Sequence, residues 1–231
     1  MNILCTLCMR GGSKGIKNKS IALVNNKPLF TYTLNQINKI KFIDKIVVST
    51  DSKKIYNITS KYGVENWFLR PKNLSKDSSP KIPVIRDALI RSEKYYDKKF
   101  DIIIDLDVTS PLRNIKDIKN SFKKFFSKKA EILFTVTKSK KNPYFNMVEI
   151  KNSNVNLIKK NQIISRRQDA PSVFDMNASI YIWKRKTLMK YNTLFIKKTT
   201  IYEMPEERSI DIDTSLDLKL VEYLLRNNHD K

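Results

Sequence analysis

At 231 residues the chain is long enough for one sizeable core, and a small inserted lobe fits while two independent domains do not. Apolar residues make up 41 %, which excludes a disordered chain, and no apolar run nears the ~20 residues that cross a bilayer. The net charge of +22 on its own suggests a polyanionic partner, but the lysines run the whole length among Ile and Asn, as in KFIDKI at 41–46 and LIKKNQII at 157–164, so it reads as a compositional bias and not as a basic stripe. Only weak, non-specific nucleic-acid binding at low salt is expected.

In chain order, the apolar stretch Met1 to Met9 reads as a buried first strand over Ile3–Met9. It lacks a leading basic stretch and is not a signal peptide, which points to a cytoplasmic protein. Cys5 and Cys8 fall on opposite faces of that strand, and His229 is remote in the tail, so two core thiols are expected rather than a zinc site. Further strands are expected at Lys45–Thr50, Asn66–Leu69, Ile102–Leu106, Ile132–Thr137, Ala178–Trp183 and Thr200–Met204, where β-branched and aromatic residues cluster. Amphipathic helical patterns occupy 28–40, 52–62, 82–96, 115–127 and 214–226. The last opens with a capping-box pattern, Thr214-x-x-Asp217, and places Leu216, Leu220 and Leu224 on one face. This alternation predicts an α/β fold, a mostly parallel sheet with helices on both faces. Residues 138–177 break it with a polar stretch and a weak hairpin pattern at Val148–Leu157, and read as a small lobe inserted into the single domain 1–231. Ligands of such sheets bind beyond the carboxyl ends of the strands, which directs attention to the loops after residues 9, 50, 106 and 183.

Three of the chain's four glycines, Gly11, Gly12 and Gly15, stand together directly after the first strand. Arg10, Lys14, Lys17 and Lys19 surround them, with the Ser13 hydroxyl, and together they describe a cradle for a polyphosphate. Gly12 is expected to need positive φ or a close phosphate approach. The spacing is neither that of a P-loop nor G-x-G-x-x-G, and a flexible basic turn is the plainer alternative. Two D-x-D pairs form the second signal. Asp105 and Asp107 close an apolar strand, and Asp211 and Asp213 precede the last helix. Alternate residues of an extended chain face one way, so each pair can hold a hard cation such as Mg²⁺, although Asp213 also suits a helix cap and Asp105 a solvated strand end. Arg113, near a predicted helix start where the dipole disfavours a cation, points to a functional role or a carboxylate partner. Arg70 offers another cation on that side, or is a surface arginine.

Assembled in order, these motifs resemble the acylneuraminate cytidylyltransferases, or CMP-sialic acid synthetases. The stretches that carry the resemblance are RGGSKGI at 10–16, KPL at 27–29, VVSTDS at 47–52, KYG at 61–63, Arg70-Pro71, TSPLR at 109–113 and SIDIDTSLDL at 209–218. The resemblance implies a nucleotide-diphosphosugar-transferase type of fold, with 138–177 as a dimerisation lobe and subunits completing each other's sugar pockets in a homodimer. It implies that Arg10, Gly11, Gly12, Ser13, Lys14, Lys19 and Arg70 bind CTP, that Lys14 and Lys19 serve catalysis with Asp211 and Asp213, and that the two aspartates hold Mg²⁺. On the sugar side it implies Arg167 and Asn177.

The departures are informative. Lys19-Ser20 stands where the family usually has Lys-Asn, Asp107 where it has Gln, and Asp175 where sialic-acid members often have Arg. With NPYFNMVE at 142–149, these swaps resemble the branch acting on N,N'-diacetyllegionaminic acid, and they add Asp107 and Asp175 to the expected sugar contacts. Asp175 pairing with a nearby cation instead is the plainer alternative. The expected reaction joins CTP and a nonulosonic acid, a nine-carbon acidic sugar, and releases pyrophosphate. A CMP-N-acetylneuraminate synthetase or a Kdo cytidylyltransferase is the nearer alternative, and a basic RNA-binding protein is the distant one.

Overall fold

A six-stranded sheet runs through the middle of the molecule in the strand order β10-β6-β9-β5-β1-β4. The computed structural model describes residues 1–12, 15–159, 164 and 166–227. In chain order the elements are β1 (Ile3–Cys8), the short hairpin of β2 (Leu23–Val24) and β3 (Lys27–Pro28), α1 (Phe30–Ile37), β4 (Lys45–Ser49), α2 (Lys53–Lys61), α3 (Lys81–Tyr95), β5 (Ile102–Leu106) and α4 (Ile115–Ser127). They continue with β6 (Ile132–Lys138), β7 (Val148–Lys151), β8 (Asn154–Leu157), β9 (Phe174–Lys184), α5 (Arg185–Lys190), β10 (Thr199–Glu203) and α6 (Ser215–Asn227). Among the described residues no helix is long and apolar enough to cross a membrane.

The central strands are apolar throughout because both faces of the sheet are covered. Along β1, Ile3, Cys5 and Leu7 join the core formed with α1, α2 and α4, while Leu4 faces the core formed with α3 and α5. β5 divides in the same way, Ile102, Ile104 and Leu106 to one side and Ile103 to the other. Helices therefore cover both faces, as the alternation predicts. Their ends follow local chemistry: the Ser52 side chain accepts from the Ile55 amide at 3.4 Å, and Asn114 with Asp117 closes a capping box on α4. Gly63, the one described glycine at positive φ, caps α2 at φ +82°, which accounts for the KYG stretch as a helix stop.

Four expectations are corrected. β9 runs antiparallel to both β5 and β6, so its end at Lys184 lies beside Ile102, at the amino end of β5. The loop after residue 183 is thus on the edge opposite the loops after 9, 50 and 106. Asn66–Leu69 forms no strand: its aromatic residues turn onto α3, with Trp67 stacked on Tyr95 at 4.3 Å. The inward side chains of α6 are Leu218, Val221, Leu224 and Leu225, whereas Leu216 and Leu220 face solvent. Arg113, expected to have a functional role or a carboxylate partner, forms no ion pair among the described residues. It is buried, and its guanidinium donates to Gln36 Oε1, Asp107 O, Ser179 O and Thr33 Oγ1, tying α1, β5 and β9 together.

Residues 138–177 read as one inserted lobe, but its two ends belong to the sheet, where Lys138 pairs with Phe174 and Thr137 with Asp175. Val148 pairs with Leu157 in a separate two-stranded hairpin, and the chain turns through Asn152 and Ser153 at positive φ. The segment also contains the start of β9, which pairs back onto β6. Ile150 and Val155 of the hairpin are 77 % and 66 % exposed, which leaves an uncovered apolar face on an element that is marginal alone in water.

Candidate active site

The carboxyl ends of β1, β4 and β5 converge on a cleft of about 410 Å³. Arg10, Lys19, Arg70, Lys81, Asp107 and Asp211 are among the residues lining it, with Gly15, Thr109 and Asp213. The loop after β1 is fixed at both ends. The Gly11 amide donates to Asp51 Oδ1 at 2.8 Å, and Arg10 pairs with Asp77. At the far end, Lys19 Nζ donates to the Ile212 carbonyl at 2.6 Å and to Asp213 Oδ1 at 2.8 Å. The glycines serve close packing there: a Cβ at Gly15 would stand 2.2 Å from the Asp213 carbonyl, and one at Gly11 would stand 2.9 Å from Ser52 Cβ. Gly12 has neither constraint, since its φ lies outside the left-handed region and a Cβ there meets no described atom within 4 Å. The expected torsional reason for Gly12 does not hold, and a close approach by ligand is the reason left. Ser13 and Lys14 lie outside the described residues.

Asp107, Asp211 and Asp213 line this cleft and Asp105 lies buried beneath it, so the two D-x-D pairs are not equivalent. Asp105 and Asp107 both face Lys81, whose Nζ lies 2.9 Å from Asp105 Oδ2 and 3.0 Å from Asp107 Oδ2. Asp105 is 1 % exposed and also accepts from Thr6 Oγ1 at 2.6 Å. The other oxygen of Asp107 accepts from Thr109 Oγ1 at 3.0 Å. A lysine therefore occupies the place the sequence allotted to a cation at this pair. Burial alone would lower the Lys81 ammonium's affinity for its proton, but Asp105 and Asp107 outweigh it and hold the group well above the usual lysine range.

Asp211 has no such partner. Its Oδ1 is buried and accepts no hydrogen bond, and burial followed by the charge of Asp107 pushes the carboxyl up to about 6. An orphaned carboxylate oxygen beside further acidic groups fits a hard cation. The described residues hold no group of three or more His, Cys, Asp or Glu side chains arranged for a metal. Mg²⁺ does not require one, because it is commonly held by one or two carboxylates, water and the substrate's phosphates. Asp213, exposed and paired with Lys19, is the second carboxylate of this segment beside the loop after β1. The segment is anchored by the Ile212 amide, which donates to the Thr109 carbonyl at 2.9 Å.

The remaining expected residues are spread out. Arg70, 7 % exposed, donates from Nε to Ser49 Oγ at 3.0 Å and from its terminal nitrogen to Ser49 O, so one edge of its guanidinium is already engaged. Arg167 lines a second cleft of about 480 Å³ with Lys138, Lys140 and Glu206, and donates to the Lys140 carbonyl. Asn177 is buried at the irregularity between β6 and β9, next to Ala178 at φ +51°. There it accepts from Thr135 Oγ1 at 2.7 Å and donates to Ser209 Oγ at 3.0 Å. Asp175 is exposed on β9 opposite Thr137. Within one chain, Asp107 thus lies in the first cleft and Arg167 in the second, and neither cleft includes Asp175 or Asn177. Cys8, expected in the core, reaches the first cleft, where burial and then Asp105 push its thiol up and keep it protonated.

Lys81 escaped the sequence reading, although a signal was present. It is the first residue of α3, directly after Pro80, where the helix dipole disfavours a cation.

A basic loop wedged by glycine against a carboxylate segment, at the open end of an α/β sheet, is the arrangement of a nucleotidyltransferase. Comparisons with known proteins narrow the class. The chain belongs to the cytidylyltransferase family, whose pattern matches residues 4–229. It is 43 % identical to the post-translational flagellin modification protein B of Campylobacter coli, over 98 % of this chain and 96 % of that one. It is 44 % identical to the CMP-N,N'-diacetyllegionaminic acid synthase of Campylobacter jejuni, over 96 % of this chain and 94 % of that one. At 28 % identity it also resembles a pseudaminic acid cytidylyltransferase of Campylobacter jejuni, over 100 % of this chain and 99 % of that one. Among solved structures, a CMP:2-keto-3-deoxy-manno-octonic acid synthetase complexed with CTP shares the fold at a TM-score of 0.71 and 14 % identity, covering 99 % of this chain and 100 % of the other.

Proposed function

We propose that the protein is a CMP-nonulosonic acid synthetase that joins CTP to N,N'-diacetyllegionaminic acid and releases pyrophosphate. The observation that carries the sugar assignment is the near full-length similarity to a relative named for that product. The cleft supports the chemistry. Arg10 and Lys19 line the end that receives the triphosphate, and Arg70 stands at its rim. The anomeric hydroxyl of the sugar attacks the α-phosphorus of CTP in line. A new O–P bond forms, the bond to the β-phosphate bridge breaks, and pyrophosphate carries off the electron pair. Positioning and charge neutralisation supply most of the rate. No histidine is among the described residues that line the cleft, so a carboxylate there would take the hydroxyl's proton. Asp211 and Asp213 would hold a Mg²⁺ ion, which when bound neutralises charge on the phosphates. The use of CTP as substrate supports a cytoplasmic location.

The test is a panel of nucleoside triphosphates against several nonulosonic acids and Kdo, read as pyrophosphate release. CTP with legionaminic acid should exceed CTP with N-acetylneuraminic acid by about tenfold or more in kcat/KM, the scale of one lost buried hydrogen bond. Equal or reversed preference returns the protein to the sialic-acid branch.

The hairpin of the inserted lobe supports a dimer as well. Ile150 and Val155, exposed on a two-stranded element, would be covered by a second copy. Ile150→Asp should shift the protein from dimer to monomer in light scattering, and a parent that is already monomeric overturns this assignment.

A further inference from the structure

Lys81 has no place in the reaction as derived above, yet it sits in the middle of the cleft. Three features single it out. Its ammonium bridges two carboxylates, Asp105 at 2.9 Å and Asp107 at 3.0 Å, and lies 4.3 Å from the centre of the Tyr181 ring. It begins α3, where the helix dipole opposes a cation, so helix stability does not account for it. Of the two carboxylates it holds, one is sealed in and the other opens on the cleft: Asp105 is 1 % exposed, whereas the Asp107 side chain is 25 % exposed.

The consequence lies at Asp107. Thr109 takes one of its oxygens and Lys81 the other, so the carboxylate is fixed at both ends. An ionised carboxylate has about four acceptor sites; the Thr109 amide and hydroxyl fill two on Oδ1 and Lys81 one on Oδ2, so about one remains, on Oδ2, for a ligand. Asp105 and Asp107 together outnumber Lys81, so the pair keeps a net negative charge, and Asp107 presents it to the cleft. Such a carboxylate suits a ligand's O–H or N–H donor. It also adjoins the 211–213 segment, because the Ile212 amide is bonded to the Thr109 carbonyl. The acceptor sugar must lie beside the reacting phosphate, and Asp107 lines the same cleft as that segment.

We propose that Lys81 is a positioning residue for the sugar: it locks the Asp107 carboxylate as an oriented acceptor for a hydroxyl or amide N–H of the acidic sugar. This rests on the functional reading above.

Steady-state kinetics with CTP and the acidic sugar varied separately test it. Lys81→Met should raise KM for the sugar about tenfold or more and leave KM for CTP within about twofold. Asp107→Asn should show the same split. The double variant should be no worse than the poorer single one, because both act through one contact. Lys81→Arg, which keeps a cation between the carboxylates, should recover most of the loss. Parallel rises in both KM values, additive losses or wild-type constants for Lys81→Met overturn the proposal. Where Lys81→Met fails to fold, Asp107→Asn decides, and an unchanged sugar KM rejects the role. A wild-type protein that releases no pyrophosphate from CTP with any acidic sugar overturns the functional reading and this inference with it, whereas wild-type turnover with an unaffected Lys81→Met overturns the inference alone.

Discussion

Asp211→Asn is expected to cut pyrophosphate release from CTP by about a hundredfold to a thousandfold, the scale on which a preorganised charge at a reacting phosphate acts. Stability should move the other way. Asp211 Oδ1 is buried without a hydrogen-bond donor, and the carboxyl is pushed up to about 6 by burial and by Asp107. Removing that charge relieves an unfavourable burial, so in EDTA the variant should melt at or above the parent's temperature. EDTA should also abolish the parent's activity, and Mg²⁺ should restore it. Asp105→Asn should behave oppositely: it disturbs a carboxylate held by Thr6 and Lys81 under the cleft, and its first cost is a lower melting temperature. A buried carboxylate oxygen without a donor at rest, in a residue indispensable in turnover, is one kept for a ligand. Asp211→Asn with near-parental rates removes the metal assignment.

The architecture was legible wherever a pattern had one physical cause. The capping box at Thr214 and Asp217 forms as written, with the Asp217 amide donating to Thr214 Oγ1 at 3.3 Å and the Thr214 amide donating to Asp217 Oδ2 at 2.7 Å, and α4 runs over Ile115–Ser127 where the periodicity puts it. Strand direction was not legible. β9 is as apolar as its parallel neighbours, and only its pairing shows that it runs against them. The face of α6 was misread because Leu residues line both sides of it. For the site, local motifs found the loop and both carboxylate pairs. They missed that Lys81, 24 residues before Asp105, bridges one pair, whereas in the other Asp213 pairs with Lys19 and only an Asp211 oxygen is left without a partner. Contacts across the sheet between segments distant in sequence leave no local signature. The same reason explains why Asn177, grouped with the sugar contacts by motif, lies within hydrogen bonds to Thr135 and Ser209.

Gly15→Ala is the second change expected to be severe, with kcat/KM for CTP falling about a hundredfold while the protein stays folded. The added carbon would stand 2.2 Å from the Asp213 carbonyl, and the atom it meets is backbone, so the phosphate loop or the 211–213 segment must move. Either movement spoils one alignment. Lys19 reaches both Ile212 O and Asp213 Oδ1 across this contact, so separating the two segments carries the loop cations away from the carboxylates. Displacements near 1 Å at a reacting centre can cost about a hundredfold in rate. The loss should fall on kcat as well as on KM, because the geometry of transfer is disturbed along with the grip on the triphosphate. Gly12→Ala is the matched control for backbone strain: its Cβ meets no described atom within 4 Å, so the fold and melting temperature should be unchanged. A loss of CTP affinity in Gly12→Ala, measured by calorimetry, would then report close approach of the nucleotide to that residue. Parental kcat/KM in Gly15→Ala would show that the loop and the carboxylate segment need not touch for the reaction to proceed.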